Sequence, residues 1–235
     1  MNVKTAVKAV LPYFVSRSTY NSIHGFVAAR DIVSGRRHEP QIDLLKEFVK
    51  PGQTVLDIGA NQGLYSYHLS QLVGPSGKVY AFEPIPFNVN ILKRVAAKSP
   101  NITIREQGCG ERRQNIEFFV PVSHRAPIGG WAHRRTAGED GNGEIVKAEI
   151  VRLDDEISER VSFIKCDVEG AELSVFKGAV EILAKWRPVI LCEIFDPWCS
   201  RFGIAKSQVL KFFAELGYHD RQLNEDNSLL LPTSR

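Results

Sequence analysis

Asp57, Gly59, Asn61 and Gly63 alternate through one short stretch, Val55-Leu56-Asp57-Ile58-Gly59-Ala60-Asn61-Gln62-Gly63, and Glu83 stands twenty residues beyond it. The stretch reads as an apolar strand ending in an acid, then a small-residue turn, then an amphipathic helix from Leu64 to Val73. Gly59 and Gly63 lack Cβ, so the chain can turn sharply there and a ligand can approach the main chain. The helix start behind the turn presents free N–H groups. Glu83 ends a second apolar strand, Val79-Tyr80-Ala81-Phe82, where a βαβ unit places an acid that accepts hydrogen bonds from a ribose diol. The chemistry these residues describe is nucleoside binding.

Two departures from the dinucleotide pattern narrow the choice of nucleoside. Gly-x-Gly-x-x-Gly uses its second glycine to bring backbone N–H groups to a pyrophosphate. Here Asn61 takes that place, and Asp57 stands two residues before the first glycine. A carboxylate repels a diphosphate but attracts an ammonium. S-adenosylmethionine has a cationic amino-acid end, a ribose and no phosphate, so it fits, and a nicotinamide cofactor fits poorly. Further along, Phe163-Ile164-Lys165-Cys166-Asp167-Val168-Glu169-Gly170-Ala171-Glu172 ends an apolar strand with three acids in six residues. Ligands of open α/β sheets bind outside the carboxyl ends of the strands, so Asp167 is expected to face the crevice that Asp57 and Glu83 face. Capping of the next helix is the alternative role for Asp167.

The elements that must position these groups alternate. Strands are expected at 53–58, 78–83, 102–106, 161–166 and 188–194, with helices at 62–73, 86–98, 170–185 and 205–216, and two short strands near 218–223 and 227–231. Such alternation gives a parallel sheet covered by helices on both faces. The unbroken apolar run Val189-Ile190-Leu191-Cys192 suits a strand buried on both sides. Residues 1–35 read as helical with a break near Pro12, and Pro40 opens a helix over 41–49. This divides the chain into a helical extension, 1–38, and a main domain, 39–235. Strands at 115–120 and 145–151 flank a Gly/His/Arg-rich segment, Pro121 to Glu144, that is too long for a simple connector and is expected to be a lid over the site.

Composition sets bounds on partners. The 235 residues carry a net charge of +3, too little to point to nucleic acid. Residues 1–50 hold eight Lys/Arg against four Asp/Glu. With Val10, Leu11, Tyr13, Phe14 and Val15, this basic segment offers a peripheral contact to an anionic membrane, against the plainer reading of a packed helix with solvated lysines. The four cysteines form no CxxC pair and read as reduced core residues of a cytoplasmic protein. No apolar run approaches the roughly 20 residues that span a bilayer, and no signal peptide is evident.

The blocks VLDIGANQGLYS, AFEPIPFNVNIL, FIKCDVEGAELSVFKGA and RPVILCEI, in that order over residues 39–220, resemble the FkbM-type S-adenosylmethionine-dependent methyltransferases. The resemblance implies an α/β, Rossmann-like class I methyltransferase fold: a mostly parallel seven-stranded sheet, its last strand antiparallel, with helices on both faces and here an N-terminal helical extension. It implies O-methylation of a small molecule, sugar or glycolipid. The cofactor set becomes Asp57, Gly59, Ala60, Asn61, Gly63, Glu83, Pro84, Cys109 and Asp167, with Cys109 placed near adenine. Glu169 and Glu172 belong to the DVEGxE block. A non-catalytic cofactor-binding module is the alternative.

An alcohol acceptor must lose its proton as it takes the methyl, which calls for a general base. Asp167, Glu169 and His133 are the chosen candidates, with Glu193 and His124 behind them. Asp167 with a neighbouring carboxylate offers hard oxygen ligands for Mg²⁺, which would acidify a hydroxyl. Trp131 either stacks on an acceptor ring or anchors the loop to the body, and Arg134-Arg135 reads first as a solvated pair, with the holding of an anionic acceptor such as a glycosyl phosphate as the alternative. Base-methylating enzymes place an Asn/Asp-Pro-Pro-aromatic run after strand four. Asp167-Val168-Glu169-Gly170 stands there instead, and its acids repel phosphate, so a nucleic-acid substrate is not expected.

Overall fold

A computed structural model describes residues 16–123, 126–127, 132–135 and 141–233. The first described helix, α1 (Arg17–Val33), starts where the Ser16 hydroxyl accepts from the Thr19 N–H at 3.1 Å, an N-cap that satisfies one of the free donors of the first turn. It buries Tyr20, Gly25, Ala28, Ala29 and Ile32. Residues 1–15, which hold the expected break at Pro12 and the apolar part of the basic segment, lie outside the described residues. Among the described residues no helix is long and apolar enough to cross a membrane.

After α2 (Ile42–Phe48) the alternation begins: β1 (Thr54–Ile58), α3 (Leu64–Val73), β2 (Lys78–Phe82), α4 (Pro86–Ala96) and β3 (Ile102–Arg105). It resumes with α5 (Leu153–Glu156), β9 (Val161–Cys166), α6 (Glu172–Lys177), α7 (Val180–Trp186), β10 (Val189–Glu193), α8 (Asp196–Ser200), α9 (Lys206–Glu215), β11 (Tyr218–Gln222) and β12 (Asn227–Pro232). The seven strands of the main sheet lie in the order β11-β12-β10-β9-β1-β2-β3. Pairing is parallel from β3 to β10, and β12 runs antiparallel to β10. The pleat sends Leu56, Ile58, Ile164, Cys166, Ile190 and Cys192 into one core and Val55, Val79, Phe163, Leu191 and Leu229 into the other. Strands buried on both faces lack alternation, as read from the sequence. All four cysteines are buried thiols.

Two differences from the sequence reading have local causes. The helix expected over 170–185 is two helices that part at Gly178, where the backbone runs so close to Gly110 that a Cβ would stand 2.1 Å from its carbonyl oxygen. Asp154 then caps the second, accepting from the N–H groups of Glu181 and Ile182 at 3.1 and 3.0 Å. The segment after β3 builds a second sheet. It holds β4 (Gly108–Cys109), β5 (Gln114–Ser123), β6 (Ala126–Pro127), β7 (His133–Arg134) and β8 (Gly143–Val151), with β4-β8-β5-β6 in order and β7 also on β5. β5 and β8 pair from Gln114↔Ile150 out to Pro121↔Gly143, so strand pairing continues into the span expected to be loop. Residues 124–125, 128–131 and 136–140 of the expected lid lie outside the described residues, and with them His124 and Trp131.

Candidate functional site

The main sheet changes direction of growth at β1, with β9 on one side and β2 on the other, and the crevice outside such a switch point is where ligands bind. The turn leaving β1 is built from left-handed residues: Gly59 at φ 76°, Asn61 at φ 50° and Gly63 at φ 91°. Asparagine is among the few side chains that adopt this region readily, which is how Asn61 stands where a dinucleotide site has glycine. The N–H groups of Gly59 and Ala60 donate to the Phe82 carbonyl at 3.0 and 2.9 Å, tying the turn to β2. Gly63 meets α4 so closely that a Cβ would sit 2.6 Å from Leu92 Cδ1.

Glu83 is buried at the end of β2. Its Oε2 accepts from the Asn61 N–H at 2.7 Å, and its Oε1 accepts from the Ile85 N–H at 2.9 Å and from Asn88 Nδ2 at 3.2 Å. Burial pushes its pKa up to about 7, against the pull of those donors. A carboxylate oxygen takes two hydrogen bonds, so Oε2 keeps one place for a further donor. Beside it, Asn61 Oδ1 is buried with no hydrogen-bond partner among the described residues. A buried acceptor left idle marks the place of an absent donor.

Asp57 corrects the sequence reading. It is buried, accepts a hydrogen bond from the Ser66 hydroxyl of α3, and is not among the residues that line the crevice. Burial pushes its pKa up to about 6, although Ser66 and Lys165 oppose the shift. Asp57 holds the turn to α3 instead.

The crevice acids are Asp167 and Glu169. The backbone N–H of Asp167 donates to the Ile58 carbonyl at 3.0 Å, and its Oδ2 lies 3.2 Å from Lys165 Nζ. The next helix begins after Ala171 with no side-chain cap, so Asp167 is not a helix cap. Glu172 closes the loop, its buried Oε1 accepting from Gly170 N–H at 3.1 Å and Val168 N–H at 3.3 Å. Glu169 sits at φ 56°, a conformation that costs a non-glycine residue energy and clusters at functional sites. It makes no hydrogen bond or ion pair among the described residues, and burial, then Asp167, Glu193 and Glu172, push its pKa up to about 8.

One cavity of about 620 Å³ joins these groups, within the range of about 300–1,000 Å³ typical of ligand pockets. Gly59, Asn61, Glu83, Pro84, Cys109 and Asp167 line one half of it. Burial, with Glu156 adding to it, pushes the Cys109 thiol well up, so it meets a ligand as a neutral apolar group. The other half lies between Ile116, Phe118 and Arg135 of the second sheet and Arg201, Phe202 and Ile204 after α8. Arg135 pairs with Glu117 at 3.0 Å, and the Arg201 guanidinium lies 4.0 Å over the Trp198 ring. Ala60 and Gly63 shape the turn without lining the cavity, and so does His133 stand outside it: buried between the rings of Phe119 and Trp198, it belongs to the wall. The magnesium expectation gains no ligand set, since no group of three His, Cys, Asp or Glu side chains converges among the described residues, and Asp167 already faces an ammonium.

Sequence reasoning missed Lys165, Asn88 and Arg201. A lysine inside Phe163-Ile164-Lys165-Cys166 breaks an apolar strand and was the available signal for the first. Nothing in the spacing of the other two sets them apart.

The Methyltransferase FkbM domain family model matches residues 57–219. Hexuronic acid methyltransferase AglP of Haloferax volcanii is 24% identical over 240 residues, covering 97% of this chain and 89% of that one. Methyltransferase sdnD of Sordaria araneosa is 27% identical, over 61% of this chain, and 2-O-methyltransferase NoeI of Sinorhizobium fredii is 28% identical, over 64%. These matches span 66% and 65% of the two relatives, just under two thirds of their length. The crystal structure of methyltransferase FkbM from Methylobacillus flagellatus shares the fold, at a TM-score of 0.52 and 15% identity over 88% of this chain and 58% of that one.

Proposed function

This chain belongs to the FkbM methyltransferase family, and on that premise we propose that it transfers a methyl group from S-adenosylmethionine to a hydroxyl of a sugar-like acceptor. The observation that carries the proposal is the single cavity in which Asn61 and Glu83 meet Asp167, Glu169 and a second, acceptor-sized half. When bound, S-adenosylmethionine supplies a methyl activated by its sulfonium. The residues present fit it: Glu83 Oε2 would take a ribose hydroxyl, and idle Asn61 Oδ1, with Asp167, would take the ammonium.

Of the three candidate bases, Glu169 suits the role. Asp167 is engaged by Lys165, and His133 does not line the cavity. Glu169 lines it unpaired, with a pKa near that of a base working close to neutral pH. Glu169 would accept the proton of the acceptor hydroxyl, while the bound cofactor would supply the methyl group and keep the electron pair of its carbon–sulfur bond. Holding the acceptor in line supplies much of the rate; such positioning is worth roughly 7–11 kcal/mol.

Arg135 and Arg201 in the acceptor half favour an acidic sugar, since guanidinium matches carboxylate and phosphate geometry. The similarity to AglP, a hexuronic acid methyltransferase, supports the same class. A screen with methyl-labelled cofactor against hexuronosides and their neutral hexoside counterparts tests the proposal. Label should enter a hydroxyl of the acidic sugars. Absence of transfer to every sugar, together with no calorimetric binding of S-adenosylmethionine, would overturn it.

A further inference from the structure

Lys165 is the last residue but one of β9, a strand covered on both faces, and keeps 2% of its surface exposed. Its Nζ is 3.2 Å from Asp167 Oδ2 and 4.9 Å from the centre of the Tyr65 ring, and it makes no hydrogen bond among the described residues. On β1 its register partner is Asp57, and on β10 it is Leu191, two residues before Glu193. The ammonium therefore faces Asp57 from β1, Tyr65 from α3, Asp167 from the end of its own strand and Glu193 from β10. Burial alone would push its pKa down; those four groups outweigh burial and hold it up. Glu169, at the cavity, faces Asp167, Glu193, Glu172 and Lys165.

Stability does not explain this lysine. Replacing a buried ion pair by apolar residues of similar volume is often neutral or stabilising, and β9 is otherwise an apolar strand. What the ammonium does supply is positive charge beneath a crowded set of carboxylates, two of which line the cavity. Among the described residues it is the lysine or arginine that acts on Asp57, Glu169 and Glu193 together.

We propose that Lys165 is a positioning residue for methyl transfer, whose buried ammonium fixes and neutralises Asp167 at the cavity floor and so leaves Glu169 able to give up its proton beside it. Lys165 touches neither ligand in this role; it acts through the two carboxylates. The inference rests on Glu169 as the base, and the two can fail separately.

The test is a carboxyl-carbon NMR titration of the full chain labelled at glutamate Cδ, with the Glu169 signal assigned by its loss in Glu169→Gln. In Lys165→Met the Glu169 midpoint should move up by at least one pH unit, a tenfold loss of acidity, and in Lys165→Arg it should stay in place. If Lys165→Met does not fold, the double variant Lys165→Met/Asp57→Asn removes one charge of each sign and is read the same way. An unmoved Glu169 midpoint in either folded variant overturns the proposal, and so does failure of both to fold, because the lysine is then a structural ion. In the labelled-methyl assay the rising limb of the pH–rate profile should move with the NMR midpoint; a fall in kcat with the limb unmoved also overturns it. Full activity in Glu169→Gln would remove the base assignment while leaving the titration result standing.

Discussion

Gly59 and Asp167 meet backbone to backbone: a Cβ added to Gly59 would stand 1.8 Å from the Asp167 carbonyl oxygen. The cofactor turn after β1 and the acidic loop after β9 are thereby one unit, closed also by the Asp167 N–H to Ile58 carbonyl bond. A side chain at Gly59 must pry the two strands apart. It must also hold φ 76°, which alone costs an L-residue roughly 1–2 kcal/mol. Gly59→Ala is therefore expected to lower the melting temperature by at least about 4 °C and to abolish calorimetric binding of S-adenosylhomocysteine. Unchanged binding would show that turn and acid are not coupled.

In the proposed site, Glu83 Oε2, which already accepts from the Asn61 N–H, accepts one further charged hydrogen bond from the cofactor's ribose. Such bonds are worth roughly 1.5–3 kcal/mol, so Glu83→Ala is expected to weaken S-adenosylhomocysteine binding about 10- to 100-fold. Calorimetry measures this directly, and equal affinity in the variant would remove the ribose assignment.

Glu169 must be ionised to take a proton, and its pKa is raised to about 8. The rate of methyl transfer should climb as pH rises through about 8 and level off above it. Glu169→Gln should lower kcat by roughly 10²- to 10⁴-fold, the usual contribution of a general base, and abolish that limb. A flat profile in the wild-type chain would end the assignment.

Buried carboxyls give stability its own pH dependence. Asp57, Glu83 and Glu172 are raised in the folded chain to about 6, 7 and 7, chiefly by burial, from values of about 4 in an unfolded chain. Between those limits the folded state binds more protons than the unfolded one. Their contribution is thus fully present below about pH 4 and is lost as pH rises through 6 to 7. The ligand-free chain should melt at a higher temperature at pH 5.5 than at pH 8, and Glu83→Gln should flatten the slope. A melting temperature that rises over this window would contradict the burial of these acids.

Arg201 lines the acceptor half with its guanidinium spread over Trp198. For an acidic sugar, Arg201→Ala is expected to raise KM about tenfold or more, the worth of one charge-assisted hydrogen bond, while KM for a neutral sugar holds. A uniform change for both sugars would mean that Arg201 does not read the acceptor's charge.

The turn after β1 and the acid closing β2 were legible in the sequence because their determinants are local. The left-handed turn needs Gly59, Asn61 and Gly63 at fixed offsets, and the acid closing the next strand needs only the length of one βαβ unit. Parallel strands buried on both faces announce themselves as apolar runs such as Val189-Ile190-Leu191-Cys192. The break at Gly178 was not legible, since the neighbour that leaves no room for a side chain there, the Gly110 carbonyl oxygen, is 68 residues away in the chain. The second sheet was only half visible, because the pairing of β5 with β8 is fixed by backbone register over a long separation.

Which acid faces the ligand was decided by the tertiary structure. Asp57 and Asp167 are the same residue type, each at the end of an apolar strand, and pleating turns both toward the same side of the sheet. Asp57 pairs in register with Lys165, so Asp167 lies two residues further toward the carboxyl ends, opposite Gly59. Helix α3 and its Ser66 cover the first of these levels, whereas the second opens into the cavity. The sequence by itself determined that acids would gather at this rim. Burial under α3, the helix that follows β1 and packs back on it, separated the acid that braces the turn, Asp57, from those that line the cavity, Asp167 and Glu169.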